Sequence, residues 1–515
     1  MRISIRLARG LMSELEQFRM RVERFIERHN WTATRFGREL AADPQFVFNL
    51  REGREPRAET RNKITDMIQK IEKANSNAGA PIRIGVAGVG TVGAALVNML
   101  QDQQDDVQKR FGRDIEVTAV CARSRSKDRG VDLSTVEWFD DPVQLAKSDS
   151  IDLYVELMGG EDGPALASIR AALQAGIPVV TANKALIAKH GVEIARLAEK
   201  HDTSFGFEAA VAGGIPVIKT LREGLGLARV QRVYGIMNGT CNYILTRMSN
   251  EDISFAACLK DAQELGYAEA DPTFDIEGFD TAHKLAIVTS LCFGTEIAAD
   301  EMFVEGITRI DQADIKVADD LGFNIKLLGV AQRTPDGIEQ RVHPTLIPKT
   351  STIAGIDGVL NAVALETNHV QELLMAGPGA GGEATAASVL ADIFDSARGT
   401  LVPPLGMPVD ELAPYKKARM RAHEGGYFIR LNARDIPGAL AAIASRMGES
   451  DISLESVIQR PDLVVNDPEA GDVATRTVVL ITQETMEQSV RQTLDQVAQD
   501  GFIVGTPQVI RIERF

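Results

Sequence analysis

Ile82–Gly93 reads IRIGVAGVGTVG. Ile82–Ala87 is a largely apolar run, as a parallel strand buried on both faces should be. Gly88-Val89-Gly90-Thr91-Val92-Gly93 follows at once, and a helical pattern (AALVNML) follows that. Placed between a strand and a helix, G-x-G-x-x-G is the fingerprint of a dinucleotide-binding turn. Gly88 is expected to make the tight turn and Gly90 to let the backbone approach a pyrophosphate. Gly93 lets the helix pack on the strand. The helix start at Thr91 and Val92 offers N–H groups and a positive dipole end to phosphates. A glycine-rich turn without a ligand is the plain alternative.

The neighbouring runs extend this into a parallel α/β sheet. Ile115–Cys121 (IEVTAVC) reads as the second strand. An NAD site places Asp or Glu near its end, to hold the ribose 2′-hydroxyl. Here the end carries Arg123, Arg125 and Lys127 instead. Those cations suit a 2′-phosphate, so NADP(H) is favoured over NAD(H); a solvated basic loop is the alternative. Ile151–Leu157 (IDLYVEL) is a further strand, ending at Met158-Gly159-Gly160. Ligands of open α/β sheets lie at the carboxyl ends of strands. Met158 and Gly159 should therefore line the cofactor pocket, as should Thr181-Ala182-Asn183-Lys184 after Ile177–Val180.

The chain has 515 residues, enough for three or four domains at roughly 100–200 residues each. Residues 1–72 are helical in pattern and 73–81 (KANSNAGAP) form a small-residue linker. Residues 82–204 make the dinucleotide-binding domain. Residues 205–400 make an α+β substrate and dimerisation domain, 401–426 a connector, and 427–515 a compact C-terminal unit. No apolar run approaches the ~20 residues of a membrane span, and Arg2, Arg6 and Arg9 lack the apolar core of a secretory signal. An Arg-rich transit peptide and a start at Met12 both stay open. The four cysteines have no metal-ligand spacing and read as reduced thiols of a cytoplasmic protein. Net charge is −16 overall but +5 over residues 1–80, leaving −21 on the rest. The chain as a whole is thus a poor partner for nucleic acid; its N-terminal part differs.

Ala262–Lys284 (AQELGYAEADPTFDIEGFDTAHK) concentrates Glu264, Glu269, Asp271, Asp275, Glu277 and Asp280 ahead of Lys284. If a helix begins near Gly278, Asp280 and Lys284 share a face one turn apart. A carboxylate beside a lysine can bind an ammonium while the lysine binds a carboxylate or protonates an oxyanion. A surface acidic loop capping a helix is the alternative. The stretch resembles the signature of homoserine dehydrogenases at Ala262, Gly266, Tyr267, Ala268, Asp271-Pro272, Asp275-Ile276, Gly278, Asp280 and Lys284. GIMNGTCNYIL at 235–245, TANK at 181–184, EAAVAGGIP at 208–216 and GPGAGGEA at 377–384 agree, so the resemblance covers about residues 82–400.

That resemblance implies reversible, NAD(P)-dependent interconversion of L-aspartate 4-semialdehyde and L-homoserine, in threonine and methionine biosynthesis. It makes Lys284 the proton donor and acceptor, with Lys184 close to substrate and nicotinamide. Glu269 would bind the substrate ammonium; Asp280, with Asp275, would orient substrate or water. Gly266 and Gly381 would contact the cofactor through their backbone. The carbonyls of Glu208, Val211, Gly213 and Ile215 would hold a sodium ion. It also implies a homodimer or homotetramer.

Tyr427–Phe515 reads β-α-β-β-α-β, a ferredoxin-like order. Its strand, the Asn432–Gly438 loop with its Asp435-Ile436-Pro437-Gly438 run, and the following helix resemble an ACT domain, an amino-acid-sensing module. Asn432, Asp435, Pro437 and Gly438 would then border the effector, and feedback by L-threonine is implied; a purely oligomerising role is the alternative. Residues 18–67 resemble the helix-turn-helix of lambda-repressor-like DNA-binding domains. Gln45, Asn49 and Arg51 would lie on the second helix, with Arg54, Arg57 and Arg61 beyond, Pro44 at a helix start and Gly53 at its end. DNA contact there, or a helical appendage that packs on the enzyme, are the two readings. A DNA-binding regulator with a dehydrogenase-like sensor is the competing function for the whole chain.

Overall fold

The computed structural model describes residues 14–28, 31–76, 80–226, 228–418, 424–460 and 474–514. Met12, residues 77–79 of the expected linker and residues 419–423 of the expected connector lie outside them. The chain divides into two compact units, one built on residues before 82 with Val107–Asp114, the other on Ile82–Asp106 and Ile115–Phe515. No helix among the described residues is long and apolar enough to cross a membrane.

The first unit has helices at Glu14–Arg28, Ala33–Leu40, Phe46–Arg51 and Ala58–Ser76. Phe18, Val22, Phe25, Phe36, Leu40, Val47, Leu50, Ile64 and Ile68 close its core. Phe25 meets Trp31 and Phe36 edge-on, at 5.3 and 5.6 Å between centroids. The chain crosses tightly between the second and third helices: a Cβ on Gly37 would lie 2.3 Å from the Asp43 carbonyl oxygen. Pro44 does not open the third helix. Asp43 Oδ1 accepts from Gln45 N–H at 2.9 Å, so an Asx turn holds Pro44 outside the helix. Gly53, at φ +91°, follows the helix end as expected. Arg51 is paired with Glu23 at 2.7 Å and Arg61 with Glu55 at 2.6 Å, so two of the arginines expected to face a polyanion are engaged internally.

The second unit opens with a parallel six-stranded sheet in the order β3-β2-β1-β4-β5-β6. Its strands are β1 (Ile82–Ala87), β2 (Ile115–Cys121), β3 (Glu137–Phe139), β4 (Leu153–Glu156), β5 (Val179–Thr181) and β6 (Phe205–Gly206). This is the doubly wound nucleotide-binding order. The boundary expected at 204 is not a clean cut. β6 lies past it, and the Gly382–Ala397 helix returns from far downstream to pack on the Thr91–Asp102 helix and on β5 and β6.

The remaining strands form one 11-stranded sheet, ordered β12-β11-β7-β9-β10-β17-β13-β15-β14 with β8 and β16 attached at its sides. They are β7 (Val230–Ile236), β8 (Phe303–Val304), β9 (Phe323–Thr334), β10 (Gly337–Pro348), β11 (Leu360–Thr367), β12 (Gln371–Pro378), β13 (Glu424–Arg434), β14 (Leu454–Gln459), β15 (Thr475–Thr482), β16 (Thr485–Met486) and β17 (Ile503–Ile512). β9 and β10 form a hairpin closed at Thr334 and Gly337, over a Pro-Asp turn pair suited to the reversal.

The expected self-contained C-terminal unit is instead continuous with the sheet built by β7 and β9–β12. β10 and β17 pair in parallel at Thr345–Arg511 and Leu346–Ile512. Arg341 of β10 reaches Glu513 at 2.5 Å, and Arg430 of β13 reaches the fully buried Asp314 at 2.7 Å. The expected free connector is pinned too: Ile338 N–H donates to Lys416 O, and Ala418 N–H to Ile338 O. Asn432 lies inside β13, buried and paired in register with Thr477. It is therefore not in the loop where the sequence reading put it, because the ladder on both sides of β13 runs on to the end of that strand.

Candidate active site

The three glycines of the first turn divide their work. Gly88 has φ +99°, and a Cβ there would sit 2.4 Å from Leu157 O. A Cβ on Gly93 would sit 2.2 Å from Gly88 O, whereas one on Gly90 meets nothing within 4 Å. So Gly88 and Gly93 are required by packing, and Gly90 leaves its backbone open at the N-cap of the Thr91–Asp102 helix. Gly159 and Gly381, also left-handed, face open space, and Gly381 caps the Gly382–Ala397 helix. A Cβ on Gly382 would press on Thr91 at 3.1 Å, which brings that second helix start beside the first. These open glycines and converging N–H groups fit a pyrophosphate. Gly266, at φ +76°, follows the end of the Phe255–Glu264 helix, so it has a backbone reason to be glycine apart from any ligand.

Arg123, Arg125 and Lys127 are exposed beyond β2. Arg125 leans toward Asp140 at 3.4 Å. Arg129, not singled out from sequence, organises this loop: its guanidinium donates to Val89 O at 3.0 Å, Lys127 O at 2.7 Å and Ser124 O.

The polar centre is assembled from four segments. Gly278, at φ +87°, starts the Phe279–Phe293 helix, and Asp280 and Lys284 fall on one face of it. Lys284 Nζ donates to Asp280 Oδ2 at 2.7 Å and to Met237 O at 2.7 Å. Lys184, first residue of the helix after β5, reaches Asp280 Oδ1 at 3.0 Å. Asn238 donates to Asp275 Oδ1 at 2.8 Å and to Asp280 Oδ2 at 2.9 Å. Burial alone would keep Asp280 neutral, but the two lysines and the Asn238 and Lys284 hydrogen bonds reverse this and hold its carboxyl well below the usual range. The lysines move in opposite directions. Burial pulls Lys284 below the ordinary lysine value, Asp280 only partly restoring it. Burial also opposes the Lys184 charge, but Asp280, Asp275 and Glu269 outweigh it, and its proton is held above the ordinary value. Burial, then the Asp280 charge, raise Asp275. Glu269 lies exposed on the preceding loop, its carbonyl accepting from Gln263 at 3.0 Å.

Glu156 was missed from sequence. It ends β4 fully buried, accepting from Thr181 Oγ1 at 2.7 Å, Met158 N–H at 2.7 Å and Gly159 N–H at 3.2 Å. Asn183 donates to Gly160 O at 2.7 Å and caps the Lys184 helix by accepting from Leu186 N–H. This knot ties the Met158–Gly160 loop to the turn that carries Lys184. The only sequence signal was an acidic residue closing an apolar strand just before Met-Gly-Gly.

The Glu208–Ile215 loop is buried except at Gly214, with Ala212 at φ +55° and Gly213 at φ +52°. Glu208 O accepts from Val211 N–H, Gly213 O from Ser388 Oγ at 2.7 Å, and Ile215 O from Val217 N–H at 2.8 Å. Among the described residues no group of His, Cys, Asp or Glu side chains could hold a metal ion. All four cysteines are free. Near the C-terminal loop, Arg434–Gly438, Leu440, Val457 and Gln459 line a cleft of about 750 Å³. Asp435 is paired with Arg476 at 3.0 Å, and Gly438, at φ +92°, caps the next helix.

A doubly wound nucleotide sheet facing a lysine–carboxylate cluster defines a nicotinamide-nucleotide oxidoreductase. Comparison with known proteins gives the family. Residues 88–208 match the model of the homoserine dehydrogenase NAD binding domain, and residues 216–394 that of homoserine dehydrogenase. The homoserine dehydrogenase of Neisseria gonorrhoeae is 41% identical over 439 residues, spanning 84% of this chain and 99% of that one. A solved homoserine dehydrogenase from Thiobacillus denitrificans superposes with a TM-score of 0.78 at 39% identity, covering 85% of this chain and 99% of that one. A hyperthermophilic archaeal homoserine dehydrogenase solved in complex with NADPH matches 62% of this chain and 99% of that one, with a TM-score of 0.54 and 27% identity. The chain belongs to the homoserine dehydrogenase family. Its substrates are accordingly aspartate semialdehyde and homoserine, and the competing reading as a DNA-binding regulator is not favoured.

Proposed function

We propose that the chain reduces L-aspartate 4-semialdehyde to L-homoserine, reversibly and with NADPH, using Lys284 as proton carrier and Lys184 as a fixed cation. The carrying observation is that one buried carboxylate, Asp280, holds both lysines, Lys284 on Oδ2 at 2.7 Å and Lys184 on Oδ1 at 3.0 Å. Burial lowers the proton affinity of Lys284 while the surrounding carboxylates raise that of Lys184, which fits an acid–base role for the first and an electrostatic role for the second. The nicotinamide, when bound, supplies or takes the hydride. During reduction, negative charge grows on the aldehyde oxygen, and Lys284 Nζ gives that oxygen its proton. The resulting amine stays held between Asp280 and Met237 O, ready for the reverse direction. Lys184, which keeps its charge, stabilises the growing anion. Glu269 takes the substrate ammonium; Asp275 and Asp280 orient substrate.

Gly88, Gly90, Thr91, Val92 and Gly93 would hold the pyrophosphate, with Gly381 and Gly266 against the nucleotide. Met158, Gly159 and Lys184 would flank the nicotinamide, and Arg123, Arg125 and Lys127 the 2′-phosphate. A sodium ion on the carbonyls of Glu208, Val211, Gly213 and Ile215 is compatible with their internal hydrogen bonds, since a carbonyl has two lone pairs. L-Threonine at Asp435, Pro437 and Gly438, and a dimer or tetramer, complete the reading. Contact with DNA through residues 18–67 would fall to exposed Gln45, Arg54 and Arg57.

The test is turnover of aspartate semialdehyde with NADPH and with NADH. NADPH should give the higher kcat/KM. A clear NADH preference overturns the cofactor assignment, and no turnover overturns the reaction. Threonine inhibition should weaken in Gly438→Val; truncation is unsuitable, because removing β17 strips the edge of β10.

A further inference from the structure

Asn238 stands two residues beyond β7, nearly buried at 5% exposure. Its Oδ1 accepts from Cys241 N–H at 2.8 Å, capping the Gly239–Glu251 helix. A backbone N–H can only donate, so partner chemistry fixes which way the amide faces. The Nδ2 group must then point away, and its two hydrogens go to Asp275 Oδ1 at 2.8 Å and Asp280 Oδ2 at 2.9 Å. A neutral group thus stands between two carboxylates that would otherwise compete for one ammonium.

The consequence lies in how Asp280 is shared. Its Oδ2 receives Asn238 and Lys284, which leaves Oδ1 for Lys184 at 3.0 Å. We propose that Asn238 is a positioning residue for proton transfer: its amide bridge fixes the Asp280 carboxylate so that each oxygen serves one lysine, and it holds Asp275 off Lys284. This rests on the reading of Lys284 as proton carrier. The groups that face Lys284 are Asp280 from its own helix, Lys184 from the helix after β5, Asp275 from the Thr273–Ile276 turn and the Cys241 thiol from the Gly239–Glu251 helix. Asn238 is the neutral spacer in that set.

Two variants separate bridging from capping. Asn238→Asp and Asn238→Ser both keep a capping oxygen and lose the two-hydrogen bridge, since ionised Asp donates nothing and Ser has a single O–H on a shorter side chain; only the first adds charge. Both should lower kcat about tenfold or more, since small misplacements at a reacting centre are costly, with cofactor Kd unchanged. In Asn238→Asp the alkaline limb of the reduction profile should also move up by about one pH unit, because an added anion holds the Lys284 proton. Wild-type kcat and an unmoved limb in both variants would overturn the proposal. So would a lowered melting temperature with unchanged kcat, which leaves only the cap. Lys284→Met is the separate control: full turnover there would remove Lys284 itself and with it the reading beneath.

Discussion

Lys284→Met removes the ammonium while keeping an unbranched side chain in the same buried space. An ammonium has three N–H donors, and Lys284 spends two of them on Asp280 and Met237 O, each at 2.7 Å. The third is left for the reacting oxygen. Loss of a positioned general acid costs about 10²–10⁴ in turnover, or about 3–5 kcal/mol of barrier. Nucleotide affinity should hardly change, because the Gly88–Gly93 turn and the Arg123–Lys127 loop lie on β1 and β2, not on this helix. Asp280 keeps Lys184 and Asn238 as partners, so the protein should still fold. The pH profile adds a second readout. Reduction needs protonated Lys284, whose proton affinity burial lowers. The wild-type rate should therefore fall as pH rises through a value below the ordinary lysine 10.5, and the variant should lose that limb. Nicotinamide absorbance gives the rate, and cofactor titration the affinity. Turnover within about tenfold of wild type, with the limb intact, would refute the assignment.

Gly90→Ala should fold normally and bind nucleotide more weakly, since its Cβ meets no protein atom within 4 Å; undiminished affinity would place the phosphates elsewhere. Gly88→Ala, by contrast, forces a Cβ against Leu157 O at φ +99° and should depress the melting temperature sharply. Arg430→Met strands the buried Asp314 carboxylate and should cost about 3–5 kcal/mol in denaturant unfolding; a loss below about 1 kcal/mol would show that the contact does not matter. Glu487 gives a pH prediction for stability. Burial works against its charge, but Arg511 and Arg491 win and hold its folded pKa below the ordinary 4.5. The stabilisation is full above that value and lost as pH falls through the folded value. Arg511→Met should flatten this acid slope in a melting series, and an unchanged slope would exclude the pair as its source.

The parts legible in the sequence are those written in local spacing. The strand–glycine–helix succession at Ile82–Gly93 needs no distant partner, and Asp280 and Lys284 meet because a helix places residues four apart on one face. What was not legible depends on pairing across the chain. β17 carries ordinary strand-forming residues at Val509, Ile510 and Ile512, and nothing in Ile503–Ile512 says that its neighbour is β10. Arg341 and Glu513 look like surface charges until the joined sheet buries them against each other. Glu156 and Asn238 fail for the same reason. One is a carboxylate whose donors come from its own loop and from β5; the other is an amide whose acceptors lie about forty residues on. A buried polar group costs too much to stand without partners, so each such residue implies a constellation that its own segment does not contain. That Asp280 and Lys284 meet could be found by their spacing. The groups that aim it could be found only by asking which polar side chains the folded chain has left no water to satisfy.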